Sequence, residues 1–489
     1  MINVNTKIHD KFSVEFKVGF AGSEQDSVND FTVNSWIFLP YSLDINSKTY
    51  SKEQFYRDVK SNIRLITPNY TIAEMAEPSA MPLSNVRDSY HKYIGHPIEA
   101  NLTEYNFQVR MFAAIFKSAL RNEVKALLSG NAPGALASGS RQLMDHIGQI
   151  LRLYRQIRPS DAKKPTIDVF AYADEFMSHL TDVQFTKLIR QLGSHESAET
   201  NSVRDELTQF LLQEREYKTK HHYSHLTNDG DLRNRELVYR HSLLKKNIES
   251  VLYLKSDSEP DNKAAQQFVF AIAAGIAMLV YVLITLPLQK YFGNYPTLIL
   301  IILVVSYILK DRIKEFFRGR FAYRLKDKYY DDKTNIHFQS TSIGWIKEGA
   351  DFITDAKTPA EVLEIRNRSR LEADNALLGE QTILYRKQVH IDNEQLRDHY
   401  RYTFTGINDI MRLHIQHLTQ KMDDPEMALQ AIDQDGRMST IHTQRIYPIH
   451  IVLQFIHGDQ IDYRAFRITA TRDGIIDCIE TTLTNDNQL

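Results

Sequence analysis

Hydrophobic and polar positions along this 489-residue chain fall into three successive patterns. The first has a period of two. In "FSVEFKVGF", Phe12, Val14, Phe16, Val18 and Phe20 alternate with small or polar residues, which predicts a half-buried strand. "FTVNSWIFLP" follows a polar loop and predicts a partner strand, ended by Pro40. Together they define an N-terminal β region over 1–45. From 46 to 256 the period lengthens to that of helices. "TYSKEQFYRDVKSNIRL" supplies Ser51 as an N-cap with Gln54 three residues on. The clearest helix is "EYNFQVRMFAAIFKSALRNEVKALL", stopped by Ser129 and Gly130.

The second pattern is a block without charge. "FVFAIAAGIAMLVYVLITLPL" spans 268–288, inside a run of 26 uncharged residues between Lys263 and Lys290; another 19 separate Lys290 from Lys310. At 1.5 Å per helical residue each run reaches roughly 30 Å, one hydrocarbon core. Thr285 and Ser306 are almost the only hydroxyls well inside them, so neither has the polar stripe of a soluble helix. A two-helix transmembrane hairpin over 268–309 is therefore expected, entered through a polar hinge at 257–267. Its turn is "QKYFGNYP", whose aromatic residues suit a lipid–water boundary. Ala271 with Gly275, and Ala273 with Ala277, are four apart; such small pairs let helices approach closely and leave room for a homo-oligomer.

A basic segment follows. "KDRIKEFFRGRFAYRLKDK" has eight Lys or Arg against three acids. Positive charge is retained in the cytoplasm, which places both large halves and both termini there. The segment 310–333 is read as a juxtamembrane helix, with Lys310, Arg312, Lys314, Arg318, Arg320 and Arg324 at the membrane surface. Retention alone also accounts for these charges.

The third pattern mixes periods. "TPAE" offers Thr358 as cap, Pro359 at the first helical position and Glu361 closing the box; "DNEQ" offers Asp392 with Gln395. With the charged run "EIRNRSRLEADNALLGEQTILYRKQ", these predict a helical region over 334–432. "PIHIVLQFI", "IDYRAFRITAT" and "IIDCIE" then alternate between turns, predicting a β meander within 433–489. The expected class is a predominantly helical α+β protein with a central transmembrane hairpin. Short antiparallel strands near both termini would join in one cytoplasmic sheet.

Composition narrows the partners. With 59 basic and 61 acidic residues the net charge is -2, so the broad basic field that attracts nucleic acid is missing and no such partner is expected. One cysteine, Cys478, permits no internal disulfide. The opening residues hold no apolar core of signal-peptide length, so a secreted precursor is not expected.

Candidate chemistry is sparse. "KTKHHYSHL" sets His221 and His222 each within helical reach of His225, and imidazoles bind zinc. However, no glutamate stands where His-Glu-x-x-His needs one, and basic neighbours oppose a cation; a solvated helix is the reading adopted. His414 and His417 face similarly without acidic company. Gly134 and Gly139 have Walker spacing, but Ser140 and Arg141 stand where Lys and Ser or Thr are required, so a connection between helices is expected. Cys478 falls in a strand interior, and Asp423 with Asp424 reads as a helix cap before Pro425.

No catalytic, metal or cofactor site is therefore assigned. The expected role is a membrane-anchored protein whose cytoplasmic regions bind, sense or scaffold a protein partner. Two alternatives are a stress or antiviral-defence effector that oligomerises through its hairpin, and an enzyme on a lipid or membrane-associated substrate with a noncontiguous site.

Overall fold

A computed structural model describes residues 2–22, 27–130, 132–159, 164–195, 197–226, 231–261, 263–292, 296–326, 329–367, 379–397, 401–432 and 436–481. Its strands are β1 (Ile2–Asp10), β2 (Ser13–Ala21), β3 (Val28–Pro40), β4 (Val59–Leu65), β5 (Lys255–Pro260), β6 (Asp332–Phe338), β7 (Thr341–Ile353), β8 (Glu380–Asp392), β9 (Gly406–His414), β10 (Glu426–Ile432), β11 (Met438–Gln444), β12 (Tyr447–His457), β13 (Gln460–Thr471) and β14 (Gly474–Thr481). Its longer helices are α1 (Lys52–Asp58), α2 (Ile72–Ala76), α3 (Met81–Gly95), α4 (Glu99–Ser129), α5 (Pro133–Gln156), α6 (Lys164–Leu192), α7 (Ala198–Lys220), α8 (Asp231–Glu249), α9 (Lys263–Phe292), α10 (Pro296–Lys326) and α11 (Ala360–Arg366). The chain divides into a first unit of residues 1–64, 254–401 and 405–489, and a second of 65–253 and 402–404.

In the first unit, period-two alternation builds two sheets and a ribbon. A four-stranded sheet runs β1-β2-β9-β4, an eight-stranded one β14-β13-β12-β3-β8-β7-β6-β5, and β10 pairs with β11 alone. Register decides what faces what. Opposite Val33 of β3 lie Lys387 of β8 and Phe455 of β12, and opposite Ser35 lie Tyr385 and Leu453. These residues share one face with Phe31. Onto that face β2 turns Val14, Phe16, Val18 and Phe20, all buried. Phe16 meets Phe466 edge-on at 5.4 Å between ring centroids, and Phe20 meets Phe31 at 5.3 Å. The large sheet's other face carries Trp36, Phe38, Val452 and Ala465, covered by Val362 and Ile365 of α11.

A charge sits inside this sandwich. Lys387 is buried, bonds Asp409 of β9, and lies 2.8 Å from Glu348 of β7. Glu348 also accepts from the Tyr385 hydroxyl at 2.6 Å, and Ser61 bonds Asp409. Burial would push the Glu348 carboxyl up, but the Lys387 ammonium and the Tyr385 hydroxyl hold it below its ordinary value. The trio therefore fastens the four-stranded sheet to the eight-stranded one.

The second unit is helical. Its core includes Phe112, Tyr154 and Phe170, whose rings stack in series at 5.4 and 4.4 Å. Fully buried Asp174 receives Arg155 at 3.0 Å and the hydroxyls of Tyr217 and Tyr223 at 2.6 and 3.1 Å. Glu214 takes both terminal nitrogens of Arg155 at 2.8 Å and the Ser178 hydroxyl. Half-buried His179 of α6 and His241 of α8 stack at 3.2 Å between centroids. Burial, then His241, then Lys218 push the His179 imidazole down to about 3.

Several expectations are corrected. The two-helix transmembrane hairpin is not formed: among the described residues one stretch, Ala265–Tyr291 of α9, is long and apolar enough to cross a membrane. Only Pro296 to Leu309 of α10 precede Lys310, roughly 21 Å of helix against a core of about 30 Å. The uncharged run before Lys310 had included the residues between the helices. Strands are neither short nor confined to the termini, since β3, β7 and β8 each have 13 residues. Within 334–432, expected to be helical, lie β7, β8, β9 and β10. In β8 the inward row Ile383, Tyr385, Lys387, Val389 and Ile391 alternates, but its polar members and the charges between them resemble a solvated helix. The hinge at 257–267 overlaps strand β5, whose side chains are all exposed, and the start of α9.

Two outcomes are expected here. Lys387→Met strands buried Asp409 and partly buried Glu348 and should cost about 3–5 kcal/mol of unfolding free energy in urea titration, with most of it recovered on adding Glu348→Gln and Asp409→Asn. Because His179 is depressed when folded, its contribution is complete above the unfolded value of about 6.5 and is lost progressively as pH falls toward 3. His179→Gln should flatten that part of the stability–pH curve, followed by circular dichroism.

Candidate membrane interface

The arm formed by α9 and α10 begins and ends on one edge of the large sheet. Strand β5, immediately before α9, pairs antiparallel with β6, which follows α10, from Lys255↔His337 to Pro260↔Asp332. The chain therefore leaves and rejoins the large sheet at the same strand pair. Asp261 reinforces this root through Lys347 at 2.9 Å.

Side chains in the arm are distributed the opposite way from those of a water-soluble helix pair. Ala273, Ala277, Thr285 and Ser306 are buried, and Thr285 returns its hydroxyl to the Tyr281 carbonyl at 2.8 Å. Leu279, Leu283, Leu286, Leu300 and Val304 point outward, each more than half exposed. Small and hydroxyl-bearing residues form the seam while branched aliphatics form the surface, as in helices packed within lipid. Of the two small-residue pairs, Ala273 with Ala277 is thus used inside the arm, whereas Ala271 and Gly275 lie on its exposed side.

The basic residues mark a level along the arm. Lys310 Nζ lies 3.9 Å from the Tyr307 ring centroid and 5.9 Å from that of Tyr281. Arg318 lies 4.2 Å over Phe270 and 3.0 Å from Glu315. Arg312 and Arg320 are exposed and Lys314 half-buried; Arg324 is on the same helix, its side chain outside the described residues. The charged half of α10 consequently runs beside α9 from Phe270 to Tyr281. Beyond that point the helical parts of both members are uncharged as far as Lys290 of α9.

The sequence-derived histidines form no metal centre. His221 ends α7, with Nδ1 2.7 Å from Arg158 Nη1 and its ring 4.3 Å from that of Tyr217. His222 turns the backbone at φ +58°, and His225 Nδ1 lies 3.2 Å from the Tyr223 carbonyl. Burial, then Arg158, push the His221 imidazole down. Among the described residues no group of three His, Cys, Asp or Glu could hold a metal ion. His414 closes β9 and His417 pairs with Asp58 at 3.0 Å, so they do not share a helix.

Other positions differ as well. Gly134 and Gly139 lie within α5, not between helices, and a Cβ on Gly139 would come within 2.4 Å of Leu127. Asp423 accepts from the Tyr447 hydroxyl at 3.0 Å rather than capping a helix. Cys478 is partly buried in β14, its thiol pushed up to about 11 by burial and then Asp477.

Sequence reasoning passed over a cavity of about 280 Å³ lined by Tyr50, Lys52, Phe55, Asp351 and Ile383. Its lysine is held at 2.8 Å by both Asp331 and Asp351, and the Tyr56 hydroxyl donates to Asp331 at 2.9 Å. These groups are committed to one another, and the ammonium is already balanced. No family model, curated protein or solved structure matches the chain.

Equilibrium dialysis against zinc is expected to give the same binding for the native chain and for His221→Ala. A site of micromolar affinity lost on that substitution would contradict the assignment of His221 to the Arg158 contact.

Proposed function

We propose that the protein is anchored to a membrane by the α9–α10 arm and presents its folded units to a protein partner in the cytoplasm. The observation that carries this reading is the inverted arm, with Ala273, Ala277, Thr285 and Ser306 inside and leucines outside. In water such a surface would be costly, because the exposed aliphatics would gain by leaving it. In a bilayer the same side chains are solvated and the helical backbone satisfies itself.

The common root of β5 and β6 returns the chain to the large sheet after α9 and α10, which keeps the folded parts beside the anchoring helix. Lys310 with Tyr281 and Tyr307 would then stand at the interface, where aromatic rings and long basic side chains are favoured. Exposed Arg312 and Arg320 would meet anionic headgroups, and positive charge on this flank favours the cytoplasmic side. The scaffold role rests on the size of the helical second unit and of the sheets that make up the rest of the first.

Flotation with phosphatidylcholine–phosphatidylserine vesicles tests this. The native chain is expected to rise with vesicles and to resist extraction by alkaline carbonate. Introducing Leu279→Lys, Leu283→Lys and Val304→Lys together puts three charges on the outward apolar surface of the arm, each unfavourable in lipid, and should leave the protein in the aqueous fraction with an unchanged circular dichroism spectrum. A native chain that stays monodisperse in detergent-free buffer and ignores vesicles would refute the anchor.

A further inference from the structure

The ribbon of β10 and β11 is attached firmly at its root and exposed beyond it. Arg445 N bonds the Pro425 carbonyl at 2.8 Å, and Arg445 reaches Asp423 at 3.1 Å. Above that root both strands are exposed along almost their whole length. A two-stranded ribbon is marginal in water unless a further strand or an apolar cover supports it. The register puts Met427 opposite Thr443 and Leu429 opposite Ile441 on one face, with Leu429 44% and Ile441 53% exposed.

Edge chemistry singles out one strand. Exposed edges are ordinarily protected against further pairing by charge or proline. The other described sheet edges follow this rule: β1 has Lys7, β4 has Lys60, β5 has Asp257 and Pro260, and β14 has Glu480. Within the ribbon, β10 begins with Glu426. Only β11, "MSTIHTQ", has no Lys, Arg, Asp, Glu or Pro among these edges.

We propose that β11 is the interface with a second copy of this chain, joined antiparallel across a two-fold axis through Ile441. The occupant follows from self-complementarity. Within β11 that register sets Ile441 against the second copy's Ile441, Thr440 against His442 and Ser439 against Thr443, with no fixed charge inside the strand; at its flanks Arg437 comes opposite Arg445, which is already paired with Asp423. Two ribbons become one four-stranded sheet with an unbroken row of Leu429, Ile441, Ile441 and Leu429 on one face. The isolated ribbon thereby acquires the strands it lacks. The inference does not depend on the bilayer reading, since neither α9 nor α10 takes part.

Sedimentation of the full chain in mild detergent tests it, together with a cysteine probe. Opposed residues of an antiparallel pair have Cα atoms about 4.5–5.5 Å apart, within disulfide range. Ile441→Cys on a Cys478→Ser background should give a covalent dimer under copper–phenanthroline oxidation, whereas Ile8→Cys on the β1 edge should not. Ile441→Lys should convert the two-chain species to one chain with an unchanged thermal midpoint, since the side chain is half exposed. A native chain that sediments singly overturns the proposal, whether or not a different protein is captured at this edge. Equal dimer content in native and Ile441→Lys proteins, or cross-linking no greater at 441 than at 8, also overturns it.

Discussion

The position of β3 between β8 and β12 is the constraint from which the rest of the first unit follows. A strand from residues 28–40 is hydrogen-bonded on one side to residues 380–392 and on the other to 450–456. The intervening chain must therefore be accommodated as excursions from a sheet already committed to closing. The helical unit is one such excursion, between β4 and β5, and the arm is another, between β5 and β6. Phe16, Phe20, Phe31 and Phe466 hold the two sheets together by apolar contact, which specifies area but little orientation. Lys387 adds orientation, because a buried ammonium is tolerable only where Asp409 and Glu348 both meet it.

The arm and the sandwich sort their side chains in opposite ways. In the sandwich, branched and aromatic residues face inward and, apart from the cluster around Lys387, most charges face water. In the arm, Ala273, Ala277, Thr285 and Ser306 occupy the interior, so that the aliphatics face outward. The root formed by β5 and β6 connects these regimes, with charged and proline-bearing β5 as the outer strand. Lys310 and Arg318, lying over aromatic rings of the arm, grade the transition between them.

Legibility followed how far each pattern exceeded its surroundings. The alternation of Val14, Phe16, Val18 and Phe20 was plain in the sequence because every inward position is apolar. The cap at Ser51 was equally plain, and the structure has the reciprocal bonds with Gln54. β8 was obscured because Lys387 and Tyr385 occupy inward positions and charges fill 386–387. The α10 side of the arm was overread, since counting residues between lysines ignores where the helix starts. Ala273 and Ala277 were legible as a close-packing pair, but not which helix they would meet. The Asp174 network lay beyond sequence reasoning: Arg155 on α5, Asp174 on α6 and the pair Glu214 and Tyr217 on α7 converge only through helix packing.

The strand order also dictates a timetable for synthesis. Ribosomes release β1 to β4 first, yet the second partner of β2 is β9 and both partners of β3 are β8 and β12, all downstream of the arm. The greasy segment Ala265–Tyr291 thus emerges while the N-terminal strands still have unpaired edges and before either sheet can close. Nascent chains of this protein present two adhesive surfaces at once, and whatever receives the apolar helix must act before the sandwich exists.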